Sequence, residues 1–374
     1  MITSIELTNF KCFKSLALEL RSLNVFAGMN GSGKSTVLQS LLSLRQSGAS
    51  ASLQRRRLQL NGTLTELGTA GEVYCAEPNS KSIELAFTSS RLEGRLELKA
   101  PQSEAQSKEY FLELDSEFQL ENLEFDLFRE PFNYLHAERV GPRKTFQIPP
   151  DEGNPLSVGR YGENAPFIVA SDRRTTEVKN GALLLESSDE KIYPSLQYQW
   201  PLWMARLFPG FDGESEIYSE ADQVRLAHAL QRKQTGQPLF VRPTNTGFGV
   251  SFVLGVVVAG LVAQPGSVLI VENPEAHLHP RAQSCIGEFL ARVAAGGTQV
   301  FVETHSEHVL NGMRRMVKQT ILTPETIRLH FFAQPPGQLE PVVTTIPVSA
   351  TGDISTWPDG FFDQLDQDLS IILG

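Results

Sequence analysis

Alternation opens the chain. Ile2, Ile5 and Leu7 mark a first strand, and Leu16, Leu18 and Leu20 repeat every second residue in a second. Leu23–Ala27 is a short apolar run that stops at a glycine-rich turn, and a helix-like stretch follows from Ser35 to Arg45. The texture then changes to more Glu, Ser and Pro. Strand-like runs are predicted at Ile83–Phe87, Arg91–Leu98 and Phe111–Leu114, with loops at Pro149–Pro150, Gly153–Pro155 and Gly210–Gly213. Core character returns after Pro238, with a helix over 252–263 and strands at Val268–Val271 and Gln299–Val302. Apolar runs this short, bounded by glycine and separated by helical segments, predict strands buried on both faces. The tail reads as strands at Arg328–Phe332 and Val342–Ile346, then the aromatic segment Trp357–Asp363. No internal repeat interrupts the pattern. An α/β fold is expected, with 1–76 and 241–325 forming one domain split by a lobe over 77–240, and 326–374 a small C-terminal domain.

Composition narrows the function classes. The chain has 374 residues, 41% hydrophobic and 20% charged, enough for two or three lobes with a real core. Its 33 basic against 43 acidic residues give a net charge of −10, so any DNA contact requires a local basic patch. Arg55–Arg57 is the basic triple, and Arg173-Arg174 with Lys179 is a weaker cluster. Solvated faces are the default reading of both. Cys12, Cys75 and Cys285 are scattered and never spaced as CxxC, which points away from a disulfide framework and toward a reducing compartment. The N-terminus has no apolar leader, and the run Phe252–Ala263 is too short to span a bilayer. A cytoplasmic protein without a membrane anchor is expected.

Gly28-Met-Asn-Gly-Ser-Gly-Lys-Ser35 fits GxxxxGK[ST], after a strand and before a helix. Glycines let such a loop curl until successive N–H groups face one anion, and the helix start adds positive potential. Gly28, Asn30, Gly31, Ser32, Gly33 and Thr36 would then frame ATP phosphates. Lys34 would reach the outer phosphates, and Ser35 would ligate Mg²⁺. Downstream, Ser267–Pro280 is an apolar strand ending in a carboxylate, as required for the far side of that magnesium. Glu272 is the first candidate and Glu275 the second. His277 and His279, with His305 and His308, could suggest a metal cluster, but HxH alone lacks further ligands in a fixed spacing, so a polar turn is expected there. Gln299–Ser306 is a strand ending in Thr304-His305, where a histidine at the C-terminal edge could bond the γ-phosphate or orient water. Asn245-Thr-Gly-Phe-Gly-Val-Ser251 is a glycine-rich loop entering the apolar helix, a second anion site that a two-fold partner could use.

Together with the opening Ile5-Glu-Leu-Thr-Asn-Phe-Lys11, these motifs resemble ABC-type ATPase heads, and more narrowly the RecF, SMC and OLD (overcoming lysogenization defect) group. The likeness covers 1–76 and about 240–310. Tyr134–Arg143 and the Trp357–Asp363 tail resemble stand-alone ATPases of this group that carry a small C-terminal domain of unknown function. The resemblance implies an ABC-type head split by an inserted α+β lobe, with Lys34 and Ser35 as the phosphate-loop residues. It implies Glu272 as the magnesium-side carboxylate and His305 as the switch histidine. Gly247, Gly249 and Ser251 become signature-like residues reaching a partner's ATP, and a charge at Gly249 is expected to bar that partner without harming the fold.

Two departures qualify the picture. The signature is degenerate, with Phe252 where glutamine is common, and Asn273 follows Glu272 where most relatives carry the catalytic glutamate. A neutral amide is a negligible base. Either Glu275 takes that role, or hydrolysis is slow and the protein is chiefly an ATP-dependent clamp. The stretch after 325 is too short for the Toprim nuclease domain of OLD proteins, and 77–240 lacks the sustained heptads of SMC coiled coils. The expected function is an ATP-gated homodimer, or higher oligomer, that controls a separate nuclease or toxin. The resemblance associates such ATPases with anti-phage defence. A DNA-repair or chromosome-maintenance ATPase that binds DNA directly, and an ATP-bound scaffold with little hydrolysis, are the alternatives.

Overall fold

The computed structural model describes residues 1–89, 93–115, 126–128, 130–150, 154–171, 176–231, 238–354, 358 and 364–373. Of the segments singled out above, Arg173-Arg174, Arg91 and Leu92 of the Arg91–Leu98 run, Gly153 of the Gly153–Pro155 loop and, apart from Pro358, Trp357–Asp363 lie outside the described residues. In chain order the first stretch runs β1 (Ile2–Phe10), β2 (Phe13–Glu19), β3 (Leu23–Gly28), α1 (Lys34–Ala49), β4 (Arg57–Gln59), α2 (Ala70–Val73), β5 (Ser82–Ser89), β6 (Glu93–Lys99), α3 (Glu104–Ser107) and β7 (Phe111–Glu113). The middle runs β8 (Phe132–Leu135), β9 (Phe146–Gln147), α4 (Ala165–Ser171), α5 (Leu196–Leu207), β10 (Asp212–Tyr218), β11 (Gln223–Gln231), β12 (Pro238–Val241), α6 (Phe248–Val262), β13 (Val268–Glu272), α7 (Pro280–Ala295), β14 (Gln299–Thr304) and α8 (Glu307–Lys318). The last elements are β15 (Ile327–Ala333), β16 (Val342–Ile346) and α9 (Gln364–Leu373). Two units partition the chain: Met1–Arg129 with Glu325–Val348 and Ile354–Gly374, and Glu130–Pro324 with Ser349–Asp353.

In the first unit, β2, β1, β5 and β6 form an antiparallel sheet in that order. Leu7 lies opposite Leu16 on one side and Leu85 on the other, so three alternating strands bring their apolar rows to one buried face. That pairing moves the expected boundary at residue 76. The inward row of β5 (Ile83, Leu85, Phe87) has its mate in β1, and the two cannot belong to separate lobes. The tail also pairs with the opening strands. β15 runs parallel to β3, with Phe332 beside Gly28, and β16 pairs antiparallel with β15, so residues after 326 complete a sheet begun near the N-terminus. Helix α1 follows β3. Its Ser43 and Ser47 hydroxyls donate to the Ser40 and Ser43 carbonyls, which lets small polar residues lie buried beside Leu38, Leu41 and Leu42.

In the second unit, β13 runs parallel to β14 on one side and β8 on the other. Every residue of all three strands is buried, as expected for parallel strands covered on both faces. β8 lies inside the stretch expected to be an insertion, yet it is core, so the boundary at 240 moves as well. Helix α6 is buried nearly all round from Val253 to Val262. Helices α7 and α8 approach closely through Gly287, which faces the Val309 backbone, and Gly312, which faces the Ser284 backbone. Buried Glu288 ties this layer together, accepting from Arg206 at 2.6 Å, Arg292 at 3.0 Å and Arg315 at 2.7 Å. β10, β11 and β12, with β9 on β11, form a separate antiparallel sheet in the same unit.

Candidate nucleotide site

In the first unit β3 ends in the turn Gly28–Gly33 and the chain re-enters as α1. Gly28, Gly31 and Gly33 have φ of 143°, 76° and 89°, a backbone that side-chain-bearing residues rarely adopt. Gly28 has a second reason: a Cβ there would lie 2.2 Å from the Phe332 carbonyl oxygen on β15. The N–H groups of Gly31 and Gly33 donate to nothing among the described residues. Lys34, 3% exposed, donates to the Gly28 and Met29 carbonyls at 3.0 and 2.7 Å, and Ser32 donates its hydroxyl to Met29 at 2.8 Å. A buried ammonium and undonated N–H groups around one open turn are a donor set for an anion, and Ser35 sits in the first turn of α1. Beneath it, Thr36 contacts the Cys12 thiol at 3.6 Å, whose pKa burial pushes up.

The second unit holds the acidic edge. Glu272 ends β13, 7% exposed, and its carboxylate oxygens are held from β8 and from the segment that follows it. The Tyr134 phenol donates to Oε1 at 2.8 Å and the Ala137 N–H to Oε2 at 3.2 Å, while His136 Nε2 lies 3.9 Å from Oε2. Burial, then the Glu272 carboxylate, push the Tyr134 pKa far up, so the phenol remains a donor. Arg139 forks across the turn itself, donating to the Glu272 and Asn273 carbonyls at 2.6 Å each. Burial lowers its pKa to about 10, against the pull of Glu275 and Glu272. Asn273 takes φ 44°, a left-handed conformation that asparagine tolerates better than most, and its Oδ1 is buried with no donor among the described residues.

Glu275 faces the end of β14. Its Oε2 accepts from the Thr304 hydroxyl at 2.8 Å and its Oε1 from the His305 N–H at 2.7 Å. No ion pair to Arg281 is present among the described residues. The structure therefore brings Glu272, Glu275, Thr304 and His305 to one edge, with the His305 side chain exposed.

At the start of α6, Gly247 and Phe248 are exposed, and a Cβ on Gly247 would meet nothing within 4 Å. Gly249 is different. Its Cβ position lies 2.5 Å from the His277 carbonyl oxygen, so a charge there cannot be introduced without displacing backbone, contrary to the sequence expectation. Ser251 Oγ is buried with no partner among the described residues. His277, φ 60°, packs its ring 4.6 Å from Phe252, and His279 caps α7, accepting from Arg281 N–H. Arg55, Arg56 and Arg57 are exposed and line a surface pocket of about 460 Å³ with Lys99, Glu113 and Leu114. Among the described residues no three His, Cys, Asp or Glu side chains gather as a metal set. In the second unit the Glu272 carboxylate is the hard oxygen type that magnesium takes beside waters and phosphate oxygens. Sequence reasoning assigned no role to Tyr134, Ala137 or Arg139. Their signal in the sequence was the resemblance of the Tyr134–Arg143 stretch as a whole, which named no residue within it.

No curated protein matches the chain. A family model described as "AAA domain, putative AbiEii toxin, Type IV TA system" matches residues 23–311, and one described as "Protein of unknown function (DUF3696)" matches 322–371. Among solved structures, the SMC head bound to the C-terminal winged-helix domain of ScpA is similar at 14% identity and TM-score 0.53, over 93% of this chain and 98% of that one. The SMC head with an extended coiled coil bound to the C-terminal domain of ScpA, derived from Pyrococcus furiosus, is similar at 11% identity and TM-score 0.51, over 100% and 99%. At these identities the likeness is one of fold. Among the described residues no helix is long and apolar enough to cross a membrane.

Proposed function

This chain belongs to the AAA-domain family whose model spans 23–311, with the fold of ABC-type P-loop ATPase heads, and we propose that it is an ATP-gated head that closes on a second copy to control a separate effector. The observation that carries the reading is the Gly28–Ser35 turn, with its left-handed glycines, undonated N–H groups and buried Lys34 at the start of α1. Lys34 trades its two loop carbonyls for phosphate oxygens, exchanging neutral acceptors for charged ones. Magnesium supplies charge neutralisation on the phosphates when bound, and each unit carries a ligand type it accepts, the Ser35 hydroxyl in the first and the Glu272 carboxylate in the second. His305, exposed at the end of β14, donates toward the γ-phosphate or the attacking water.

Asn273 cannot act as a base, but its undonated Oδ1 can accept one hydrogen bond from water and so orient it. Glu275 has both oxygens engaged with Thr304 and His305, which supports a positioning role at the switch over that of general base. Hydrolysis is then slow, and the nucleotide serves chiefly as a clamp. The α6 N-terminus, with Gly247 and Ser251, offers its N–H groups to the phosphates on the partner copy. The effector is a nuclease or toxin. The toxin–antitoxin setting in the family description supports an anti-phage role over direct DNA repair. The test is mass in solution with ATP under hydrolysis-limiting conditions. Wild type doubles in mass, and Gly247→Asp, which meets open space, abolishes the doubling at unchanged stability. A dimer that survives Gly247→Asp contradicts the trans contact.

A further inference from the structure

We infer that Tyr134 and Arg139 are positioning residues that fix the Glu272 carboxylate for its cation, an inference that rests on the nucleotide reading above. β8 lies parallel to β13 with Tyr134 beside Ile270 and Leu135 beside Val271, so the chain leaving β8 emerges next to Glu272. Tyr134 on β8 and the segment after it together grip Glu272 at every polar atom but its N–H. The phenol takes Oε1, the Ala137 N–H takes Oε2, and Arg139 takes the carbonyl of Glu272 together with that of Asn273. Tyr134 and Arg139 are each 5% exposed, so these bonds are made out of competition with water. A carboxylate restrained at both oxygens cannot rotate about its terminal torsion, yet each oxygen keeps a lone pair for a cation or its water. The fork of Arg139 also holds the turn in which Asn273 adopts its left-handed φ of 44°. Partners that hold a ligand from behind in this way typically govern metal affinity by about 10- to 100-fold.

The probe is Mn²⁺, followed by electron paramagnetic resonance with saturating ATP, alongside a fluorescent ATP analogue titrated in EDTA. Tyr134→Phe keeps the shape of a buried ring and removes only the donor. It should weaken Mn²⁺ binding at least about tenfold while analogue affinity in EDTA stays within about twofold. Arg139→Lys, which cannot fork between two carbonyls, should shift Mn²⁺ affinity in the same direction. A purely structural role would lower the melting temperature and leave the Mn²⁺ constant of the folded fraction unchanged. That result in Tyr134→Phe overturns the inference. If wild type binds neither the analogue nor Mn²⁺ with ATP, the nucleotide reading fails first and this inference falls with it.

Discussion

Glu275→Gln separates two chemistries that share one residue. In the folded chain the carboxylate accepts from the buried Thr304 hydroxyl at 2.8 Å and from the His305 N–H at 2.7 Å. Glutamine keeps the size but offers one acceptor and one donor. Its oxygen must face the His305 N–H, because two N–H groups cannot bond, so the amide nitrogen faces Thr304. The threonine hydroxyl then loses its acceptor, and it already accepts from the Ser306 N–H at 3.1 Å. A hydrogen bond to a charged group contributes about 1.5–3 kcal/mol and its neutral replacement about 1 kcal/mol, so the change should cost about 1–3 kcal/mol. For a unit of roughly 200 residues this lowers the melting temperature by about 2–12 °C. Turnover per folded molecule should fall less than about tenfold, since the exchange disturbs His305 only through its backbone. The assay pairs calorimetric melts with single-turnover hydrolysis. An unchanged melt with turnover reduced by about 10²–10⁴, the usual worth of a positioned base, would refute the positioning argument and make Glu275 the base.

The α6 start gives a matched pair: Gly249→Ala should destabilise by about 1–3 kcal/mol because its methyl meets the His277 carbonyl, whereas Gly247→Ala should stay within about 0.5 kcal/mol in denaturant titrations. Stability should also fall in mild acid. Burial lowers the pKa of His228 and of His330 to about 4, below the value of about 6.5 in an unfolded chain. The unfolded chain therefore binds more protons between those limits, so this contribution is complete above about pH 6.5 and is lost progressively toward pH 4. The loss is on the order of 3 kcal/mol for each histidine. In melts between pH 7.5 and 4.5, His228→Asn, whose amide can still reach Thr246, should show a shallower decline. An unchanged slope would show that His228 is not the group titrating.

The phosphate loop was legible because its chemistry is local: eight consecutive residues, a strand before and a helix after. β13 and β14 were legible for a related reason, since strands buried on both faces leave uninterrupted apolar runs. What escaped depends on partners far along the chain. β8 is four residues long and becomes core only by pairing with β13. Helix α5 carries Pro201 inside it, which breaks the pattern that announces a helix. Strand pairing crosses the expected boundaries at 76 and 240, because a change in composition is not a change in pairing. Gly249 was chosen as a ligand glycine, and only the His277 backbone reveals that packing also requires glycine there. Glu275 was a candidate from spacing alone, while its role turns on Thr304 and His305, 29 and 30 positions away.

Calorimetric titration of Mg-ATP into wild type and Lys34→Ala tests the central claim most directly. Lys34 is buried and meets two carbonyls of the loop that would receive the phosphates. Its removal takes away a charge-assisted contact of about 1.5–3 kcal/mol, so affinity should fall roughly ten- to a hundredfold while the melt without nucleotide stays cooperative. Equal affinity in the two proteins, with both folded, would contradict the assignment of Gly28–Ser35 as the nucleotide site.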